Sequence, residues 1–309
     1  MTAERNRIAS TDVPVARLGA GDLAACMALG QDRGWAPDPG GWRLLFEAGQ
    51  VFGIRDPAGG LAGSVALTRY DPDLAAIGMM LVAARHERQG LGGALMTHAL
   101  NQVSGAVTCL FATSFGRPLY ERLGFRPADR SVRFIGSFTP GPAGSLAPGP
   151  GGGEGQAGGY GGTGDGLVIR PVTPDDERAI AALDRQVFGA DRRAILARVP
   201  RLAERFLVAA DPAGGGVRGF AGSWGHDGLL LAGPVVAADL AVATALLTGL
   251  AAGAGRPLRI EVAGRHPGLA QWAAARGLTA RSESTFMTRG GDMPGRPGQL
   301  FGPLNVAMG

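Results

Sequence analysis

A chain of 309 residues, 45% of them hydrophobic, has enough apolar side chains for two domains of ordinary size. Its formal charge of +4 comes from thirty arginines, with no lysine, and is spread evenly: 14 arginines against 12 acids before residue 140, and 16 against 14 after it. Arginines and acids alternate at short range, as in ADRR and DDER, which speaks against a nucleic-acid-binding stripe, and no apolar run approaches the roughly eighteen residues of a membrane span or forms a signal-peptide core. Cys26 and Cys109 lie far apart, outside any CxxC spacing, which fits a reducing, cytoplasmic setting.

Taken in chain order, VARLGAGDLAACMAL at 15–29 predicts a short strand, a turn and a capped helix. LAGSVALTRY and AAIGMMLV then read as strands, with Asp71 and Asp73 in the turn between them. ERQGLGGALMTHAL, residues 87–100, crowds Gly90, Gly92 and Gly93 into four positions and continues as a helix with Leu91, Leu95 and Ala99 on one face. A strand AVTCLFA, a helix in GRPLYERLGF and a strand SVRFIGSF follow. Residues 140–166 hold thirteen glycines and four prolines in 27 positions, too few apolar groups to fold. As a Gly-rich coil this linker would span roughly 30 Å.

Beyond the linker the plan repeats. VIRPVTPDDERAIAAL gives strand, turn and helix, with Thr173, Pro174 and Asp176 in cap positions. VRGFAGSWGH, GLLLAGPVV, a helix, PLRIEV, GLAQWAAARGL and SESTFM then match the first half element by element. Each half is expected to be a mixed α/β domain of the same order, the product of a duplication: 1–139, the linker 140–166, and 167–309. Where the first half has its glycine loop, the second has AADLAVATALL, with a β-carbon at every position and Asp239 near the helix start.

A glycine loop opening a helix offers unpaired N–H groups to an anion. A Walker phosphate loop needs lysine, which the chain lacks, and the dinucleotide fingerprint needs a third glycine where Leu95 stands. What remains is a strand ending at Val82, a loop containing HERQGLG, and LYERLGF about twenty-five residues later.

That combination resembles the GNAT N-acetyltransferase superfamily. Its phosphate-loop pattern falls on Glu87, Arg88, Gln89, Gly90, Leu91 and Gly92, with Glu87 departing from the family's Arg or Gln, and its Tyr-x-x-x-Gly-Phe signature falls on Tyr120, Gly124 and Phe125. The resemblance covers residues 12–138 well, and the tandem layout is similar to bacterial double-domain members. It implies acetyl-CoA or another acyl-CoA as co-substrate, its pyrophosphate on the backbone of Glu87, Arg88, Gln89, Gly90, Leu91, Gly92 and Gly93, its pantetheine arm beside Leu81 and Val82, and Tyr120 as proton donor to the leaving thiol. The implied acceptor is an amine on a small molecule; no metal and no membrane are expected from the sequence, and nucleic acid is disfavoured by the dispersed charge.

No general base stands out. Glu87 is too near the phosphates, Glu121 lies on another helix face from Tyr120, His86 and His98 are possible, and His98 shares a face with Leu91 and Leu95. His226 and His266 lack metal-ligand spacing, and Trp35 and Trp42 fit a pocket or a core equally. The expectation is an acyltransferase active in its first half, the second a degenerate copy. A non-catalytic acyl-CoA sensor is the alternative, and aminoacyl transfer from tRNA a third reading that the dispersed charge disfavours.

Overall fold

The computed structural model describes residues 14–103, 105–140, 166–212 and 216–308, with the backbone alone at Asp71; most of the expected linker, 141–165, lies outside them. The first half runs β1 (Val15–Leu18), α1 (Leu23–Asp32), α2 (Pro39–Ala48), β2 (Gln50–Arg55), β3 (Leu61–Asp71), β4 (Leu74–Val82), α3 (Leu91–Asn101), β5 (Val107–Ala112), α4 (Arg117–Arg122) and β6 (Arg126–Gly136). The second runs β7 (Val168–Pro171), α5 (Glu177–Phe188), α6 (Arg193–Leu196), α7 (Val199–Leu202), β8 (Arg205–Ala210), β9 (Val217–His226), β10 (Leu229–Ala237), α8 (Leu240–Ala251), β11 (Leu258–Ala263), α9 (Pro267–Ala275), β12 (Thr279–Arg289) and β13 (Leu300–Gly302). Both halves are mixed α/β units of similar element order, the second adding the short helix α7 and the strand β13. No helix among the described residues is long and apolar enough to cross a membrane.

The halves share one sheet, ordered β1-β2-β3-β4-β5-β12-β6-β11-β10-β9-β8-β7, with β13 on β10. The last long strand of the second half thus lies between the last two strands of the first: β12 pairs β5 through Phe286 opposite Phe111, and β6 through Ser284 opposite Ser131. β6 in turn runs along β11 from Leu258↔Gly136 to Ala263↔Ser131. Removing either half would leave strands of the other without a ladder partner, and unpaired backbone polar groups are costly to bury.

Side chains alternate across this sheet. On one face of the first half, Ile77, Leu110 and Ala112 pack with Leu91 and Leu95 of α3 and with Tyr120 of α4. On the opposite face a second core runs across both halves, joining Trp42, Tyr70 and Cys109 to Phe188 and Phe220 and to Leu304 and Met308 of the C-terminal segment. Within it Arg192 and Asp184, each with a side chain 1% exposed, form a two-bond ion pair (3.0 and 2.7 Å), and the Arg192 guanidinium stacks 3.8 Å over Phe188. α8 packs most of its surface into the core of the second half, with Thr244 and Thr248 on its less buried side.

The C-terminal segment ties the halves together. β13 pairs β10 at Val235 and Val236, and the chain then crosses to the first half, where the Tyr70 hydroxyl donates to the carbonyl oxygen of Met308. Gly78 of β4 is glycine for want of room: a β-carbon there would stand 2.4–2.8 Å from the backbone of Ala307.

Candidate active site

The site begins where two parallel strands separate. β4 and β5 pair at only three positions, Leu74↔Val107, Ala75↔Thr108 and Ala76↔Cys109, after which they diverge. Against β3, β4 bulges at Met79, which takes φ +48°, and the Ser64 hydroxyl donates to the Met79 carbonyl at 3.0 Å. A bulge re-aims the backbone. Past Ala76 the β4 backbone groups on the β5 side therefore face a notch instead of a ladder. Leu81 and Val82 lie on the β4 margin of this notch; Leu81 is buried and Val82 half-buried.

At the end of β4, the loop to α3 is braced from two sides. Asp32, the last residue of α1, accepts from the Ala84 amide at 2.6 Å. Asp56, in the β2–β3 turn, accepts from His86 Nε2 (2.6 Å), Arg85 Nε (2.8 Å) and the Ala58 amide (2.8 Å). Burial works against the Asp56 carboxylate, but the hydrogen bonds from His86, Ala58 and Arg85 outweigh it and hold its pKa at about 2. Glu87 pairs with Arg33 at 2.7 Å, so its charge is partly neutralised by a residue one place past α1. Arg33 also lies 5.9 Å over the ring of Phe115, which is 71% exposed, and so reaches across the notch. Arg88 is exposed, and Gln89 turns inward to donate to the Arg85 carbonyl at 3.3 Å.

Gly90 caps α3 in the left-handed region (φ +83°), which glycine enters without a steric penalty, and no side chain caps the helix. The amides of Leu91, Gly92 and Gly93 thus keep their donors at the positive end of the helix dipole. Leu91 contributes only its backbone, its side chain being 1% exposed in the core. A β-carbon on Gly92 would lie 3.2 Å from Leu119 of α4 and 3.7 Å from the Met80 sulfur, so β4, α3 and α4 converge here; one on Gly93 would meet nothing within 4 Å. Glycines, uncapped amides and a divergent strand pair fit the diphosphate and extended arm of an acyl-CoA.

Tyr120 stands in α4, buried at 6% exposure, its ring 6.1 Å from Phe125. Burial pushes its phenol up to about 12, and its hydroxyl makes no hydrogen bond among the described residues. The other expected candidates are engaged elsewhere. Glu121 pairs with Arg117 at 2.7 Å, His98 packs edge-on against Phe52 at 4.6 Å, and His266 stacks on Phe301 at 4.1 Å. Trp42 is core, whereas Trp35 is 43% exposed.

The second half keeps the diverging strand pair but not the tyrosine, the uncapped helix start or the open notch. The Phe125 amide donates to the Tyr120 carbonyl, and the Leu278 amide makes the same 3.0 Å bond to Ala273; alanine thus stands where the first half has tyrosine. Helix α8 is capped by Asp239, whose carboxylate takes the Val242 amide at 3.0 Å, filling with negative charge the place an anion would occupy. β10 and β11 also pair in parallel and diverge, after Leu231↔Arg259, but β13 lies against β10 beyond that point and occupies the notch.

Sequence patterns missed Asp32, Arg33, Asp56 and Met80, since their roles come from long-range contacts. The second notch could have been suspected from Pro234 breaking the strand pattern of β10, but nothing local marks β13 as its filling.

A notch between diverging parallel strands thus occurs twice, open beside the uncapped start of α3 in the first half and filled by β13 beside the capped α8 in the second. Residues 47–127 match one acetyltransferase (GNAT) domain family and residues 180–302 another. The chain belongs to the GNAT superfamily as a tandem-domain member. It is 25% identical over 290 residues to the uncharacterized N-acetyltransferase YitH of Bacillus subtilis (strain 168), covering 93% of this chain and 95% of that protein. In fold it is similar to a putative acetyltransferase from Pyrococcus horikoshii, with a TM-score of 0.72, 19% identity and coverage of 97% and 96% of the two chains. It is also similar to a tandem GNAT protein from the clavulanic acid biosynthesis pathway, with a TM-score of 0.61, 19% identity and coverage of 91% and 99%. The family is one of N-acetyltransferases.

Proposed function

We propose that the first half transfers an acetyl group from acetyl-CoA to an amine on a small molecule, and that the second half supports it without binding a cofactor. The observation that carries this reading is the contrast between the helix starts: α3 opens on glycines with free amides beside an open notch, while α8 is capped by Asp239 beside a filled one. The divergent backbone near Leu81 and Val82 polarises the thioester carbonyl, and the loop from Glu87 to Gly93 holds the pyrophosphate. The amine nitrogen bonds to the carbonyl carbon as the C–S bond breaks. Tyr120 gives its proton to the departing sulfur, and the amine's proton leaves through water. Glu87 and Glu121 are each held in an ion pair and His86 is hydrogen-bonded to Asp56, consistent with a solvent path for that proton. Cys26 and Cys109 are free, buried thiols, in keeping with a reducing cytoplasm.

Those same ion pairs favour one second reading, a protein that binds acyl-CoA without turning it over. Release of free thiol from acetyl-CoA, dependent on an added pool of primary amines, decides between them. Amine-dependent release supports the transferase, and tight binding with no release with any amine supports the sensor.

A further inference from the structure

The bulge in β4 is held from the neighbouring strand. Against β3, Gly78 stands opposite Ala66 and Leu81 opposite Ser64, so Met79 and Met80 together face Val65 alone. Met79 takes φ +48°, a left-handed conformation that is unfavourable for a residue with a β-carbon. Ser64 is fully buried, and its hydroxyl donates to the Met79 carbonyl at 3.0 Å.

That hydrogen bond fixes a direction as well as a conformation. The Met79–Met80 peptide is trans, so its N–H points opposite to its C=O. With the carbonyl turned toward Ser64 on β3, the Met80 amide faces away from β3, to the side where β5 has already diverged. Pairing between β4 and β5 ends at Ala76, four residues earlier, so this donor looks into the notch. The Met80 side chain reaches the start of α3, its sulfur 3.7 Å from a β-carbon placed on Gly92.

The second half shows the same bulge with both parts removed. Between β9 and β10, Ala232 stands opposite Ser223 and Val235 opposite Ala221, which puts Gly233 and Pro234 where the first half has Met79 and Met80. Position for position, alanine replaces Ser64 and proline replaces Met80. Ala221 has no hydroxyl to hold a carbonyl, and Pro234 has no N–H to donate. The two losses occur together, in the half whose notch is filled by β13.

We infer that Ser64 is a positioning residue for acyl transfer: by holding the Met79 carbonyl it aims the Met80 amide at the thioester carbonyl oxygen, where negative charge develops as the amine adds. Ser64 acts only through the Met79–Met80 peptide. This rests on the acyl-transfer reading for the fate of the thioester, but not for its polarisation, which needs only bound acetyl-CoA.

The test uses the full chain with acetyl-CoA labelled with carbon-13 at the acetyl carbonyl, read by difference infrared spectroscopy. A hydrogen bond from the Met80 amide weakens the C=O bond, so binding to wild type is expected to move the thioester carbonyl stretch to lower wavenumber. Ser64→Ala should lose most of that shift while the calorimetric Kd stays within about twofold of wild type, and Ser64→Thr, which restores a hydroxyl, should regain it. With amines added, Ser64→Ala should release thiol about 10- to 100-fold more slowly at saturating acetyl-CoA. That is less than the roughly 100- to 1,000-fold cost of removing such a donor outright, because the amide is misaimed and not absent. Should Ser64→Ala not fold, Ser64→Cys, similar in size but a weaker donor, should lose part of the shift. A carbonyl stretch unmoved by binding, a shift that Ser64→Ala leaves in place, or an equal loss in Ser64→Thr overturns the inference. If the shift behaves as expected but no amine releases thiol from acetyl-CoA, the role of Ser64 stands and the transferase reading fails.

Discussion

Tyr120→Phe separates chemistry from folding because of how the ring is held. The side chain is 6% exposed and packs against Phe125, contacts that phenylalanine keeps, and the hydroxyl makes no hydrogen bond among the described residues. With no hydrogen bond to lose and the ring packing kept, its loss is expected to change stability by no more than about 1 kcal/mol. Burial raises the phenol to about 12, so at pH 7 nearly every molecule carries the proton a leaving thiolate needs. A donor acting only in the transition state leaves ground-state binding alone. The expected result is a kcat about 10- to 1,000-fold lower, equivalent to about 1.4–4 kcal/mol of barrier, with acetyl-CoA affinity unchanged. The assay is thiol release under saturating acetyl-CoA, paired with a calorimetric Kd and a melting curve. Turnover within about twofold of wild type would return Tyr120 to a packing role and refute the assignment.

Glu87→Gln removes a negative charge from the phosphate loop and frees Arg33 from its 2.7 Å ion pair. It is expected to tighten acetyl-CoA binding by less than about tenfold, because the pair is partly exposed and screened; weaker binding in the titration would mean that Glu87 acts through Arg33 to hold the loop in place. Asp184→Ala leaves the Arg192 guanidinium, 1% exposed, without its counter-ion. It should cost about 3–5 kcal/mol in urea unfolding, whereas the paired replacement Asp184→Leu with Arg192→Met should recover most of that. A single variant as stable as wild type would contradict the burial of this pair. At low pH, the stability that Asp56 draws from its depressed pKa is complete above its unfolded value near 4 and is lost as pH falls toward about 2. Asp56→Asn should flatten the acid limb of the melting curve over that window, and an unchanged limb would argue against the brace.

Much of this architecture was legible in local pattern. Most of the strand and helix order followed from alternation and helical spacing, though α2 and β2 in the first half and α6, α7 and β8 in the second were not expected; the glycine loop stood out as three residues in four positions, and Tyr120, Gly124 and Phe125 by resemblance to a family signature. The exchange of β6 and β12 was not, because a strand's alternation names its two faces but not its neighbours, and both strands read the same whichever half they pair with. The tandem pattern suggested two units joined by a linker, whereas Phe286 opposite Phe111 puts the seam inside one sheet. The braces at Asp32 and Asp56 lie 52 and 30 residues from the groups they hold, beyond the reach of any motif. β13 is three residues, LFG, with no periodicity to announce it, yet it occupies the second notch.

One half is expected to bind acetyl-CoA and the other not. Because the halves share strands, the test belongs to the intact chain: calorimetric titration with acetyl-CoA, of wild type and of Gly92→Val. A valine at Gly92 would put its β-carbon 3.2 Å from Leu119 and 3.7 Å from Met80, with further methyl groups beyond, closing the convergence of β4, α3 and α4. The expected result is one site per chain in wild type and no measurable binding in the variant, with its fold retained by circular dichroism. Two sites in wild type, or one site that survives Gly92→Val, would contradict it.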